Sequence, residues 1–458
     1  MRASGGIAER RRAPYPCAGM TPTFQTRPIH HPARDQDPAM WCAIIAAVFF
    51  VVVLNRLGIP SKPMFDEIHY LPAARRLIDL TARLNPEHPL VGKQLIAWSM
   101  EWVGDTPFGW RFPSAVLGAL GLWAMMRGLW WASLSRSATI LFGLLLATDF
   151  VWFMMSRIAV LDMAMGGFMA LAMWQWALAW RNPTGRAGRA RLHLVLTGLF
   201  MGLSLGAKWN GVLLLPLPGL LFVLNRWQSL KGRRAGLLWS SRDAGPVPGV
   251  SVIEAALWLG VLPVLVYFAT FLPAFFYEKD PLSVGKLIHW QEYMLELQDS
   301  VKKPHTYMSR WWQWMANIRP IWFLYEVVDG AQRGVLMLGN PFTMLAGLPA
   351  LLFCLWDGVK GDRLRLLVVA AYALLVGFWA VNGKPVQFYY HYMLASCFLM
   401  AALALVLAEW WELGLRWPAK VTLVLSLGLF IGFYPIMSAA KLPRKDSYRD
   451  YTWLDSWK

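Results

Sequence analysis

The residues best suited to chemistry form a short run, Phe65-Asp66-Glu67-Ile68-His69-Tyr70, which sets two carboxylates side by side just past the first apolar stretch. A hydroxyl is a poor nucleophile at neutral pH, and a carboxylate that takes its proton as the new bond forms corrects that. A helix start also favours acidic residues near its positive end, so the pair alone leaves both uses open. A second run is Asn85-Pro86-Glu87-His88-Pro89-Leu90-Val91-Gly92-Lys93. Its prolines deny helix and hold His88 and Lys93 at the water face, where they could bind a phosphate, orient an acceptor, or simply form a turn before a helix at 91–104.

Ionisable residues also lie in or beside apolar runs: Arg111, then Asp149, Arg157 and Asp162 around a short turn, then Lys208 in Gly206-Ala207-Lys208-Trp209-Asn210-Gly211. Charges at membrane depth are expensive and face a cavity or a partner. Cations converging on one cavity suit a departing phosphate; a structural pairing of Arg157 with Asp149 or Asp162 competes with that use. In His305-Thr306-Tyr307-Met308-Ser309-Arg310-Trp311-Trp312-Gln313-Trp314, the aromatic faces suit sugar or peptide binding, or an interfacial belt. Asn340 in Leu338-Gly339-Asn340-Pro341-Phe342, and Tyr390 and His391 in Gln387-Phe388-Tyr389-Tyr390-His391-Tyr392, complete the candidates, with a hydrogen-bonded structural role competing for His391.

The elements that must position these residues are membrane helices. The chain has 458 residues, 57% of them hydrophobic, with 27 tryptophans. A spanning helix needs about 20 mostly apolar residues, and about eleven such stretches follow one another, near 40–57, 107–130, 137–155, 160–180, 192–207, 210–225, 252–275, 333–356, 365–381, 389–410 and 420–437. The composition excludes a soluble domain. The net charge of +17 sits in short gaps between apolar runs and in the first forty residues, as membrane topology requires, so nucleic acid is not a partner. Cys42, Cys354 and Cys397 lie in apolar runs and Cys17 in a polar tail; no pair has metal-ligand spacing, and no metal site is expected.

Residues 1–38, rich in Arg and Pro, read as a disordered cytoplasmic tail ahead of an uncleaved signal-anchor. The alternating gaps that hold Arg127 and Arg136, Arg181 to Arg191, Arg226 to Arg242, Lys360 to Arg365, and Arg416 and Lys420 belong to the same cytoplasmic side. The opposite, outer side then holds 58–106, 276–332, 382–388 and the tail at 438–458. The two long outer segments carry enough Trp and Pro to suggest helices lying in the interface. This divides the chain into a transmembrane module at 39–275, an aromatic outer loop at 276–332 and a second transmembrane module at 333–437.

The stretches FDEIHY, NPEHPLVGKQLIA, GWRFPSAVLGALG, ATDFVWFMMSRIAVLDM, GLFMGLSLGAKWNGV, HTYMSRWWQWMANIRPIWF, LGNPF and YYHYMLA, in this order, resemble the protein O-mannosyltransferases, multi-spanning glycosyltransferases of the GT-C class. The resemblance implies an all-α polytopic membrane fold and an inverting transfer of mannose from a polyprenyl-phosphate carrier to Ser or Thr hydroxyls of a secreted polypeptide. It implies Asp66 as general base with Glu67 assisting; Arg111, Lys208 and Arg157 around the carrier phosphate; and His88 near acceptor or donor. His305, Trp312, Trp314, Asn340, Tyr390 and His391 are the further candidates for acceptor or sugar contact, with Asp149 and Asp162 as ion-pair residues. No cofactor is required by such a scheme. Eukaryotic members carry a β-trefoil insertion in the long outer loop, for which 276–332 has no room; the chain thus looks like a bacterial inner-membrane member whose partners are the lipid-linked sugar, membrane lipids, a secreted polypeptide and the secretion translocon. Transfer of aminoarabinose to lipid A is the nearest alternative, and transport or flipping a more distant one that the outer clustering of charges disfavours.

Overall fold

The computed structural model describes residues 36–182, 186–230, 237–242, 244–300 and 302–458. The tail expected to be disordered, up to residue 35, lies outside the described residues. In lipid every backbone polar group must be satisfied within its own segment, and the apolar runs accordingly form helices. Helix α1 (Ala39–Leu54) leads to an outer segment carrying α2 (Glu67–Ile78) and α3 (Val91–Val103). Then come α4 (Pro107–Ser133), α5 (Arg136–Ala147), the short α6 (Phe150–Met155), α7 (Leu161–Trp180), α8 (Ala187–Ala207) and α9 (Pro216–Leu230). A short α10 (Leu237–Ser240) precedes α11 (Val252–Ala256), which passes through a π-helical turn at Leu257–Val261 into α12 (Leu262–Ala269). The second outer segment holds α13 (Leu287–Ser300), α14 (Trp311–Met315) and the strands β1 (Ile321–Val328) and β2 (Ala331–Met337). Four helices follow, α15 (Pro341–Val359), α16 (Arg363–Val381), α17 (Met393–Glu412) and α18 (Trp417–Met437).

Among the described residues, seven helical segments are long and apolar enough to cross a membrane: Pro107–Ser133, Ala187–Ala207, Val252–Phe276, Pro341–Val359, Arg363–Val381, Tyr389–Glu412 and Trp417–Met437. Helices α1 and α5 are apolar but shorter. Each of the eleven expected stretches overlaps helix, though the one at 137–155 breaks at Thr148–Asp149 into α5 and α6, α9 has only 15 residues, and the one at 333–356 opens on strand β2.

The hairpin is the departure from the expected pattern. An eighth crossing is expected from 333 and interfacial helix up to 332, yet β1 and β2 pair antiparallel over 321–337. The physical cause is local. Ile321–Val328 is dense in aromatic and β-branched residues, and Asp329 and Gly330 both take left-handed backbone (φ 51° and 69°), as a two-residue hairpin turn demands. The crossing starts only at Pro341, where Asn340 caps α15 by accepting from the Phe342 and Thr343 N–H groups at 3.3 and 3.5 Å.

Small residues set the closest helix crossings. Helices α4 and α7 meet where a Cβ on Gly121 would come within 3.3 Å of Gly167 Cα. A Cβ on Gly206 would meet Val91 and Thr270 at 2.9 Å, so the end of α8 seats tightly against α3 and the α12 end and carries Lys208 inward.

Contacts between distant segments sort into two sets. On one face the first outer segment meets the second through Lys62–Glu326 (2.8 Å), Arg83–Asp280 and the Gln298 amide on the Glu87 carbonyl (2.8 Å). There the Ser61 N–H also donates to Asp329 at 2.9 Å. The stretch after α18 closes over this face: Trp322 Nε1 donates to the Trp457 carbonyl at 2.9 Å, and Trp457 Nε1 to the Asn317 carbonyl at 2.8 Å. The other face holds Arg127–Asp37, Arg191–Glu254, and Arg365 with Asp357 and Glu409.

Candidate active site

The two adjacent carboxylates have opposite surroundings. Glu67 and Arg111 are both 0% exposed and form a two-point ion pair, Nε to Oε1 at 2.8 Å and Nη2 to Oε2 at 2.9 Å. Glu67 also accepts from the Met64 and Ala159 N–H groups at 2.8 and 2.9 Å. Arg111 donates further to the carbonyls of Leu57, Pro60 and Lys62 at 3.1, 2.8 and 3.2 Å. A guanidinium has five N–H donors, and all five are committed here. Arg111 therefore has none left for a carrier phosphate, which corrects the role expected for it. With Glu67 it clamps the loop ahead of α2 to α4 and to the turn before α7.

Asp66 opens the other way. It stands at the start of α2, yet its carboxylate makes no capping bond to that helix. Among the described residues it accepts only a long hydrogen bond from Tyr70 Oη, one helical turn on, at 3.4 Å. Burial pushes its carboxyl above the usual range; Lys208 opposes that and Asp162 adds to it. The preceding residue, Phe65, takes φ 47°, an uncommon conformation for a bulky side chain. It is over-determined by rings on other segments: His305, Phe323, Phe388 and Tyr390 lie edge-on at 5.6, 5.3, 5.4 and 6.2 Å.

Lys208 is 5% exposed. It pairs with Asp162 at 2.7 Å, and its ammonium lies 4.9 Å over the Tyr390 ring. The expected structural pair is thus corrected: Asp162 belongs to Lys208. Arg157 donates instead to the carbonyls of Val53 and Asn55 at the end of α1, closing the orphan acceptors there. Asp149 caps α6, accepting from the Trp152 N–H at 2.8 Å. The Nη1 of Arg157 is thus committed to the end of α1 rather than to a carboxylate.

His88 lies within the same region, its ring 6.0 Å from that of Tyr70. Burial, then the positive charges of Lys208 and Lys93, hold its imidazole well below its usual range, so it is neutral, and its Nδ1 has no protein partner among the described residues. Lys93 faces inward, 1% exposed, and donates to the carbonyls of Asn85 and His88 at 2.7 and 2.8 Å. It shapes the proline turn rather than offering a charge to a ligand.

His305 is exposed at the rim, its Nδ1 accepting from the Tyr307 N–H at 3.1 Å. Trp312 is 46% exposed and free to meet an acceptor. Trp314 and Asn340 are not. Trp314 is fully buried and donates to Ser309 Oγ at 2.8 Å; Asn340 spends its amide on the carbonyls of Thr148 and Ser426 as well as on its cap. Both are corrected to structural roles. His391 has Nδ1 3.0 Å from the Phe388 carbonyl and its ring 4.0 Å from that of Trp379, so the structural use is what its surroundings favour. Tyr390, beside Lys208, is at the site.

Two residues were not singled out from sequence. Tyr70 was visible as the i+4 neighbour of Asp66 on a helix. Lys384, in the loop 382–388, had no local signal: only the folded chain brings it near enough to Lys208, Asp299, Asp66 and Asp162 to feel their charges.

Two family models match the chain in succession: "Dolichyl-phosphate-mannose-protein mannosyltransferase" over residues 101–277 and "C-terminal four TMM region of protein-O-mannosyltransferase" over 283–457. The chain belongs to the protein O-mannosyltransferase family. It is 28% identical to the polyprenol-phosphate-mannose–protein mannosyltransferase of Corynebacterium glutamicum over 92% of this chain and 94% of that protein. It is 27% identical to the protein of the same name from Mycolicibacterium smegmatis, over 93% and 94%. The S. cerevisiae protein O-mannosyltransferase Pmt1-Pmt2 complex bound to the sugar donor shares the fold with TM-score 0.77 at 14% identity, over 94% of each chain. ArnT from Cupriavidus metallidurans bound to undecaprenyl phosphate is a more distant fold relative, with TM-score 0.57 at 14% identity over 88% and 77%. The GT-C fold and multi-pass membrane character of this family member agree with the helical architecture above.

Proposed function

We infer that this chain transfers mannose from polyprenyl-phosphate-mannose to Ser or Thr hydroxyls of a polypeptide at the outer face of a bacterial inner membrane. The observation that carries the reading is the near-full-length match to relatives named for that activity, coupled to one unclamped carboxylate in a partly buried site. Asp66 acts as general base. The acceptor hydroxyl oxygen attacks the anomeric carbon, its proton passes to Asp66, and the bond from that carbon to the phosphate oxygen breaks with its electron pair leaving on the polyprenyl phosphate. One displacement inverts the anomeric centre. Lys208, charge-balanced by Asp162, stands close enough to Asp66 to lower its proton affinity and to steady the negative charge gathering on the leaving phosphate. Neutral His88, with Nδ1 unpartnered, offers an acceptor for a sugar or acceptor hydroxyl. Trp312 and His305 at the rim suit an arriving polypeptide. The scheme requires no cofactor. The N-terminus is cytoplasmic in this reading, and the acceptor is a secreted chain, met as it emerges from the translocon.

The test is mass spectrometry of secreted proteins from cells with and without the gene, paired with in vitro transfer from polyprenyl-phosphate-mannose to a Ser/Thr peptide by the purified enzyme. Loss of hexose from Ser and Thr and peptide mannosylation in vitro are expected. Transfer only to a lipid acceptor would reject the reading.

A further inference from the structure

Building on this function, we propose that Lys384 is the cation that binds the carrier phosphate, both of the lipid-linked sugar and of the polyprenyl phosphate left after transfer. Two buried cations are committed to other groups: Arg111 has all five donors on Glu67 and three carbonyls, and Lys93 holds two backbone carbonyls. Lys208 already carries one pairing, with Asp162, and leaves room for a second cation at the phosphate. The Lys384 ammonium makes no ion pair and no hydrogen bond to any described residue.

The loop that carries it is fixed. The Lys384 N–H donates to Asn382 Oδ1 at 3.0 Å, and its carbonyl accepts from the Gln387 side chain at 3.2 Å. Gln387 also donates to the Trp379 carbonyl at 3.2 Å, and its own carbonyl accepts from the Ser309 N–H at 2.8 Å. Phe388 then lies edge-on to Phe65, the residue before the base, at 5.4 Å. A backbone pinned on both sides thus sets the uncommitted Lys384 in the same stretch as Phe388, packed on Phe65, and Tyr390, whose ring lies 4.9 Å from the Lys208 ammonium. A compact ammonium in partly desolvated surroundings is a strong point charge for a phosphate oxygen.

The full-length enzyme in nanodiscs provides the test, with Lys384→Met, Lys384→Gln and Lys384→Arg compared with the original chain. Undecaprenyl phosphate binding and mannosyl transfer to a Ser/Thr peptide are measured separately. Losing a charge-assisted bond to phosphate should weaken undecaprenyl phosphate binding and raise the donor KM by about tenfold or more, with the peptide KM unchanged and Lys384→Arg restoring most of the affinity. Original affinity for undecaprenyl phosphate in folded Lys384→Met or Lys384→Gln would overturn the proposal, as would a rise in peptide KM alone. If the original enzyme binds undecaprenyl phosphate without mannosylating peptide, the functional reading fails while the binding measurement still decides Lys384.

Discussion

Asp66 and Glu67 are neighbours of like charge, and the fold uses them for unlike purposes. Glu67 collects four hydrogen bonds in full burial, two of them from a guanidinium; among the described residues Asp66 collects one long hydrogen bond. A carboxylate saturated with hydrogen bonds is a poor proton acceptor, whereas one raised by burial and left unclamped is a good one. The clamp and the base are therefore separate devices, one making the other's position reproducible.

The largest separation between them should come from Asp66→Asn. Transfer should fall by about a hundredfold to ten-thousandfold, while the unfolding midpoint in detergent stays near that of the parent. A matching loss of stability would erase the distinction. Arg111→Leu or Glu67→Gln should do the reverse, because each leaves a buried charge unpaired. Stability should drop by about 3–5 kcal/mol, read from thermal or denaturant unfolding, with activity lost only in proportion to misfolding. A stable Arg111→Leu enzyme with weakened donor binding would restore the phosphate role denied above.

The pH profile sharpens the comparison with a smaller effect. Asp66 must be ionised to act, and its folded pKa lies above the ordinary carboxylate range because of burial, with Asp162 adding to the rise and Lys208 and His69 opposing it. Activity should thus fail on acidification at a higher pH than an exposed aspartate would dictate. Asp162→Asn removes a raising charge and frees Lys208, so the acid limb should move to lower pH. A limb that does not move would mean that another group controls it. Smallest of all, Trp312→Ala should leave stability within about 0.5 kcal/mol, as at other surface sites, and alter only the peptide KM.

Much of this was legible in the chain. The apolar runs announced the helices because lipid permits little else, and the run around Asp66 stood out because it sets two carboxylates side by side just past the first apolar stretch. The hairpin at 321–337 was hidden because its apolar residues merge with those of the next helix, and only the Asp-Gly turn and the Gly-Asn-Pro stop divide them. The partners of Arg111, Arg157 and Lys208 were hidden for a different reason. Sequence shows that a buried cation needs company, but whether a carboxylate or a row of carbonyls supplies it depends on which helix ends meet. Asn340 and Trp314 looked like ligand contacts because capping and core hydrogen bonding draw on the same residue types as recognition.

One consequence concerns biogenesis. The donors to Glu67 come from residues 64, 111 and 159, and chains emerge from the ribosome N-terminus first. The acidic motif is thus made early and waits until α4 delivers its arginine and the turn before α7 its amide. A nascent chain stalled between those points would carry Glu67 with neither of those partners.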